Sequence, residues 1–128
     1  MLSVRNILAI GIFLFGTTYL WLTPAFVGKS ATGTVWAAVQ VLAYAAIIGF
    51  TLAAFGLFKG TDWWEAVTIG SAAVGMAAVI PYAIGLQNVS GGLNAAALEN
   101  IAIHFLGGAT AAALFLVHSA ERWIVGRL

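Results

Sequence analysis

The fold is decided by one stretch of sequence, residues 35–58, which reads VWAAVQVLAYAAIIGFTLAAFGLF. It contains no charged side chain, and it is longer than the ~20 apolar residues that a helix needs to cross the hydrocarbon of a bilayer. Backbone polar groups within hydrocarbon must be hydrogen-bonded inside the segment, and an α-helix achieves this. The stretch therefore predicts a membrane-spanning helix.

The rest of the chain repeats this pattern. Short breaks rich in glycine and polar residues separate four apolar stretches, and the predicted spans cover residues 7–27, 35–58, 65–86 and 98–120. No break is long enough for a soluble domain. The sequence therefore predicts that residues 1–128 form a single transmembrane domain, an all-α integral membrane four-helix bundle.

Composition excludes most other classes. Charged residues make up 7% of the chain, against roughly 25% in an average soluble domain. The absence of cysteine removes disulfide scaffolds and thiolate metal sites, and two histidines are too few for a three-histidine metal centre. A net charge of +1 without a basic run argues against nucleic acid as a partner. With no activated nucleophile and no carboxylate pair in one plane, an enzyme is the least expected class.

The cationic side chains predict an orientation. With four spans, both termini and the middle break lie on one side, which carries Arg5, Lys59, Arg122 and Arg127, whereas the other side carries only Lys29. Cytoplasmic loops are enriched in lysine and arginine. Both termini are therefore expected in the cytoplasm, and the chain is expected to be a multi-pass protein of the cell membrane.

Small residues recur at helical spacing on three of the spans. Such faces let helices approach closely in lipid, where the usual hydrophobic drive between helices is absent. The pattern does not tell whether a face packs within the chain or against another copy, but three faces exceed what a simple bundle needs. A homo-oligomer or a place among other membrane subunits is favoured, with these residues at the interface: Gly49, Ala53, Gly56, Ser71, Gly75, Gly108 and Ala111.

The fourth span carries polar side chains inside apolar sequence. At 100° per residue, Asn100, His104 and His118 share one helix face. Burying an ionisable side chain within a membrane costs free energy, so such a residue is taken as a candidate functional residue. The simplest interpretation is that each histidine makes a hydrogen bond near a helix end, and two functional interpretations stand beside it.

The first functional interpretation is haem binding. The pattern of His104 and His118, thirteen residues between them, with Gly107 and Gly108 after the first, resembles the haem-bearing helix of cytochrome b of respiratory bc complexes. The resemblance covers one helix only. It implies b-type haem held by the two histidines, with the glycines making room for the porphyrin. Because the family uses two such helices and this chain has no further histidine, a second copy or a partner subunit would complete each site.

The second functional interpretation is transport. Glu99, Asn100, His104 and His118 are candidates for the lining of a path for protons or a divalent cation, although no acidic residue lies in the middle of a span. The sequence as a whole favours a non-catalytic oligomeric bundle or membrane subunit of a larger complex. An electron-transfer subunit with haem b and a small channel or transporter are the alternatives.

Overall fold

The computed structural model describes residues 2–28, 31–90 and 93–128, and all regular structure in these ranges is helical. Lys29, which entered the orientation argument, lies outside them. The elements are α1 (Val4–Thr17), a 3-10 helix (Thr18–Leu22), α2 (Pro24–Val27), α3 (Thr34–Lys59), α4 (Trp64–Ser90), α5 (Ala95–Leu116) and α6 (His118–Val125).

Within the described residues, four helices are long and apolar enough to cross a membrane. They are α1 with its 3-10 continuation (Val4–Leu22), α3, α4 up to Val89, and α5. This confirms the all-helical class and the number of candidate spans. Side-chain caps mark two helix starts: Ser3 accepts from the amide of Asn6, and Asn94 accepts from the amide of Ala97.

The first and fourth predicted spans end differently in the structure. The helix expected to reach residue 27 ends at Leu22, because Pro24 disfavours helical backbone at Thr23, which is extended (φ −80°, ψ 157°). The helix expected to reach residue 120 ends at Leu116. Val117 is extended (φ −78°, ψ 110°), and the polar residues after it start a separate amphipathic helix, α6.

Contacts between distant residues define the two ends of the bundle. At the terminal end, the Arg5 side chain lies against Gly60 in the α3–α4 turn, and Trp64 packs edge-on against Phe115 with ring centroids 5.1 Å apart. At the opposite end, called the loop end, Trp36 packs against Tyr82 with ring centroids 6.0 Å apart.

The four long helices do not form a closed ring. α3 packs on α4, α1 packs on α3, and α5 packs on α4, whereas direct contact between α1 and α5 is sparse. The 3-10 helix touches α3, α4 and α5 instead. Thus the first span contacts α5 mainly through the 3-10 helix, near the loop end. Packing between α1 and α5 is therefore closer near the loop end than near the terminal end.

Candidate functional site

His104 lies at the centre of the contact between α5 and the 3-10 helix. Its side chain is completely buried and packs beside Tyr19, with ring centroids 4.8 Å apart. Nδ1 lies 2.7 Å from the carbonyl oxygen of Asn100, one turn back on the same helix. Nε2 lies 3.0 Å from both the carbonyl oxygen and Oγ1 of Thr18. The ring therefore joins two segments that are distant in sequence.

Both ring nitrogens of His104 have a partner in either protonation state. Nδ1 faces a carbonyl, which only accepts, so this nitrogen carries a proton and donates. Nε2 faces a hydroxyl and a carbonyl of Thr18. Protonated, Nε2 donates to either oxygen, and the hydroxyl keeps its bond to the Phe15 carbonyl. Unprotonated, Nε2 accepts from the hydroxyl, which then turns away from the Phe15 carbonyl. The site holds the imidazole without leaving a nitrogen free.

Further hydrogen bonds extend this contact to α4. The Tyr19 hydroxyl donates to the carbonyl oxygen of His104 at 3.1 Å. Asn100 Nδ2 donates to the hydroxyl of Tyr82 at 3.1 Å and approaches the carbonyl oxygen of Trp21 at 3.4 Å. We call Thr18, Tyr19, Tyr82, Asn100 and His104 the His104 network. It closes the α1–α5 side of the bundle in the half nearer the loop end.

The local sequence explains why the first span changes to a 3-10 helix here. Residues 17–23 read TTYLWLT. The hydroxyls of Thr17, Thr18 and Thr23 each donate to the carbonyl three residues back, at 2.7, 2.6 and 2.7 Å. Such bonds compete with the α-helical pattern and favour the tighter turn. The turn brings Tyr19 to α4, where its ring fills the space over Gly75.

Two members of the network, Asn100 and His104, were predicted from the sequence as candidate site residues, whereas Thr18, Tyr19 and Tyr82 were not. Their hydroxyl groups are typical of spanning helices and carry no signal alone. The available signal was the cluster of hydroxyls in residues 17–23, which a four-span topology places at the same membrane depth as the start of the fourth helix.

His118 does not share a helix with His104. The prediction that both lie on one face of a continuous helix is wrong, because α5 ends at Leu116 and His118 starts α6. The His118 side chain is 78% exposed, and its Nδ1 lies 3.7 Å from a carboxylate oxygen of Glu121. The two histidines therefore lie on different helices, one buried and the other exposed.

The two glycines of the haem interpretation are helix-contact positions. A Cβ on Gly107 would lie 2.7 Å from the Phe15 ring, and one on Gly108 would lie 2.9 Å from Met76 and 3.3 Å from the Ala72 carbonyl. For His104 to act as an axial ligand, its Nε2 would have to leave Thr18. Haem binding stays a prediction, which an absorption spectrum of the purified protein tests.

The residues of the predicted transport path are separated as well. Glu99 is exposed, Asn100 is half-buried, and His104 is buried behind it. A pocket of about 330 Å³ at the loop end reaches Asn100 and Tyr82, but His104 does not line it. In residues 2–28, 31–90 and 93–128, no cluster of three or more His, Asp or Glu side chains could hold a metal ion. Transport stays a prediction.

The small residues predicted for an oligomer interface make contacts within the chain. A Cβ on Gly49 would overlap Ser71, one on Gly56 would lie 2.6 Å from Trp63, and one on Gly75 would lie 2.5 Å from Tyr19. Ala53 is fully buried. These residues, together with Gly108, bring α3, α4, α5 and the 3-10 helix close to one another. Ala111 is half-buried and borders a cleft.

This cleft occupies the other half of the α1–α5 interface, nearer the terminal end. It has a volume of about 540 Å³ and lies between α1 and α5, with α6 along its end. Its walls are almost entirely apolar. Residues that border it include Ile7, Gly11, Ala111, Leu114, Trp123 and Arg127. We call this the terminal cleft.

The fold and the site together define a helical bundle with four helices able to span a membrane and a buried polar network that holds helices to one another. Comparison with protein-family models, with curated proteins and with solved structures found no match to this chain. The functional conclusion therefore rests on the structure.

Proposed function

We propose that this chain is a non-catalytic multi-pass membrane protein that acts as a bundle-forming subunit, in contact with a second copy or with another membrane subunit. The polar interior supports a structural role. Every buried side-chain nitrogen or oxygen in the described part of the chain has a hydrogen-bond partner. The buried threonine and serine of α4 donate to carbonyls one turn back: Thr68 to Trp64 at 2.8 Å and Ser71 to Val67 at 2.6 Å.

The observation that carries this proposal is a small-residue face of α4 that no described part of the chain covers. Ala66, Gly70 and Ala73 are exposed, and Ala77 is half-buried. A Cβ on Gly70 would meet no atom within 4 Å. Residues spaced four, three and four apart lie on one helix face. Small residues there allow another helix to approach closely, which is how helices associate in lipid.

The charges support the proposed orientation. Arg5 lies at the terminal end against the α3–α4 turn, where Lys59 ends α3, and α6 with Arg122 and Arg127 follows α5 at the same end. By the positive-inside rule, this distribution of cationic side chains favours both termini in the cytoplasm. α6, with Trp123 exposed beside these arginines, has the composition of a helix that lies at a membrane surface.

The substitution Gly70→Leu tests the proposal. It adds bulk to the exposed face of α4 without displacing any atom of the same chain, so the fold is expected to persist while association is weakened. The matched control is Ala102→Leu, at an exposed position of α5. Light scattering after size exclusion, in detergent and in nanodiscs, gives the mass of each complex.

The expected result is a wild-type complex larger than one chain, or one that contains a stoichiometric partner, which Gly70→Leu dissociates and Ala102→Leu does not. A wild-type chain that is extracted as a monomer with no partner would contradict the proposal. Equal dissociation by the two variants would show that the α4 face is not part of the interface.

A further inference from the structure

We infer that the terminal cleft is a lipid site that takes one acyl chain of an anionic phospholipid, with the phosphate at Arg127. The inference rests on the proposed membrane location and is independent of the α4 interface. The cleft is in the size range of small-molecule pockets, ~300–1,000 Å³, and its lining is predominantly apolar, as such pockets are.

The shape of the cleft favours a flexible chain over a helix. An α-helix with its side chains is about 10 Å across, so a volume of about 540 Å³ holds roughly one helical turn. An acyl chain is much thinner and extends along such a space. Phe15 and Gly107, which lie against each other, border the cleft, and residues of α6 border it as well.

Small residues line the cleft on both α1 and α5. Gly11 of α1 borders the cleft, and a Cβ there would meet no atom within 4 Å. Ala111 borders the cleft from α5 with a single methyl group. Both helices thus present small residues to the space, while larger apolar side chains such as Ile7 and Leu114 border it around them.

Arg127 gives the cleft its charge. Among the described residues, it is the only charged one that lines the cleft. Its guanidinium stacks on the Trp123 ring at 3.7 Å, and Nη1 donates to the Trp123 carbonyl at 3.0 Å. The ion pairs within the described ranges do not include Arg127. Its other N–H groups make no hydrogen bond within the described residues, and arginine binds phosphate through such donors. A phospholipid supplies the apolar chain and the anion together.

Native mass spectrometry of the delipidated protein tests this assignment. The protein is titrated in detergent with dioleoyl phosphatidylglycerol or dioleoyl phosphatidylcholine, and retained lipids are counted. One cationic side chain near an anionic headgroup corresponds to an affinity difference of about five-fold. The wild-type chain is expected to retain one phosphatidylglycerol in preference to phosphatidylcholine by about that factor.

Two variants separate the headgroup from the chain. Arg127→Gln is expected to abolish the preference between the two lipids, whereas Arg122→Gln, at a neighbouring exposed arginine that does not line the cleft, keeps it. Gly11→Leu fills the cleft. Each displaced methylene corresponds to about a four-fold loss of affinity, so retention of both lipids is expected to fall by at least about 10-fold. Ala102→Leu serves as the control on α5.

Several outcomes would overturn the lipid site. They are equal retention of both headgroups by the wild type, equal effects of Arg127→Gln and Arg122→Gln, and unchanged retention in Gly11→Leu. A stoichiometric second polypeptide that Gly11→Leu displaces would show that a protein helix fills the cleft. A chain found in the aqueous fraction without detergent would overturn the membrane location itself, whereas a detergent-dependent chain that binds no lipid would overturn the cleft assignment alone.

Discussion

The two halves of the α1–α5 interface use different chemistry. Near the loop end, the His104 network joins α5 to the 3-10 helix through hydrogen bonds of 3.0–3.1 Å, and the histidine is fully buried. Near the terminal end, Gly11 and Ala111 border a cleft of about 540 Å³ with nearly apolar walls. One half is a contact and the other is a cavity.

The difference shows how a bundle of apolar helices gains a defined arrangement. Apolar side chains face lipid and protein alike, so they do not by themselves select which helices meet. A buried imidazole with specific partners selects one neighbour, because leaving its nitrogens unpaired in an apolar interior costs several kcal/mol. Thr18 and Tyr19 supply those partners, and the half without them stays open.

The largest expected effect comes from removing the imidazole. His104→Ala loses the bonds to Thr18 and leaves a cavity, so the free energy of unfolding is expected to fall by about 2–3 kcal/mol. His118→Ala is the matched control. Because that side chain is 78% exposed, its loss is expected to change stability by less than about 0.5 kcal/mol. Unfolding of both variants in mixed micelles titrated with dodecyl sulfate measures the difference.

Equal losses for the two histidines would show that His104 does not hold the closed half. A Soret band in the wild-type protein that His104→Ala removes would show that the residue serves haem instead of the network.

A smaller effect is expected from the Tyr19 hydroxyl. Tyr19→Phe keeps the ring over Gly75 and deletes only the bond to the His104 carbonyl, which corresponds to about 0.6–1 kcal/mol of stability. Tyr44→Phe changes an exposed tyrosine of α3 in the same way and is expected to leave stability unchanged. The same unfolding titration compares them. A loss with Tyr44→Phe as large as that with Tyr19→Phe would contradict a specific role for this bond.

The smallest effects compare threonines from the two halves. Thr18→Val removes a hydroxyl that lies 3.0 Å from His104 Nε2, and a loss of about 0.5 kcal/mol is expected. Thr110 borders the terminal cleft and donates only to the Leu106 carbonyl on its own helix, at 2.7 Å, so Thr110→Val is expected to be neutral. Thermal unfolding followed by intrinsic tryptophan fluorescence resolves the order. A larger loss of stability from Thr110→Val than from Thr18→Val would mean that the open half contributes more to the stability of the bundle.

Much of the fold was predictable because apolar length is a strong signal. The number of spanning helices follows from stretches such as residues 35–58, which hold no charge. The helix ends were less predictable. Neither Thr23 nor Val117 is charged, so the sequence does not mark either of them as the end of a span. The first span ends before Thr23 because Pro24 follows, and α5 ends before Val117 because the polar residues of α6 follow.

The candidate site was predictable only in part. An ionisable residue within a span is conspicuous, and this singled out His104. Its partner Thr18 lies 86 positions away in the sequence and carries a common hydroxyl, so only the three-dimensional packing identifies it. The role of the glycines was equally open, since Gly49 and Gly70 look alike in sequence, yet one is covered by Ser71 and the other faces outward.

The most direct test of the account is one substitution made in each half. Gly108→Leu places a side chain against the Tyr19 hydroxyl of the closed half and against Met76 and the Ala72 carbonyl of α4, and the free energy of unfolding is expected to fall by about 1–3 kcal/mol. Gly11→Leu points into the terminal cleft, where stability is expected to stay equal or to rise by up to about 1 kcal/mol through the better helix propensity of leucine. Equal losses from the two substitutions, or a larger loss from Gly11→Leu, would contradict the division into a closed and an open half.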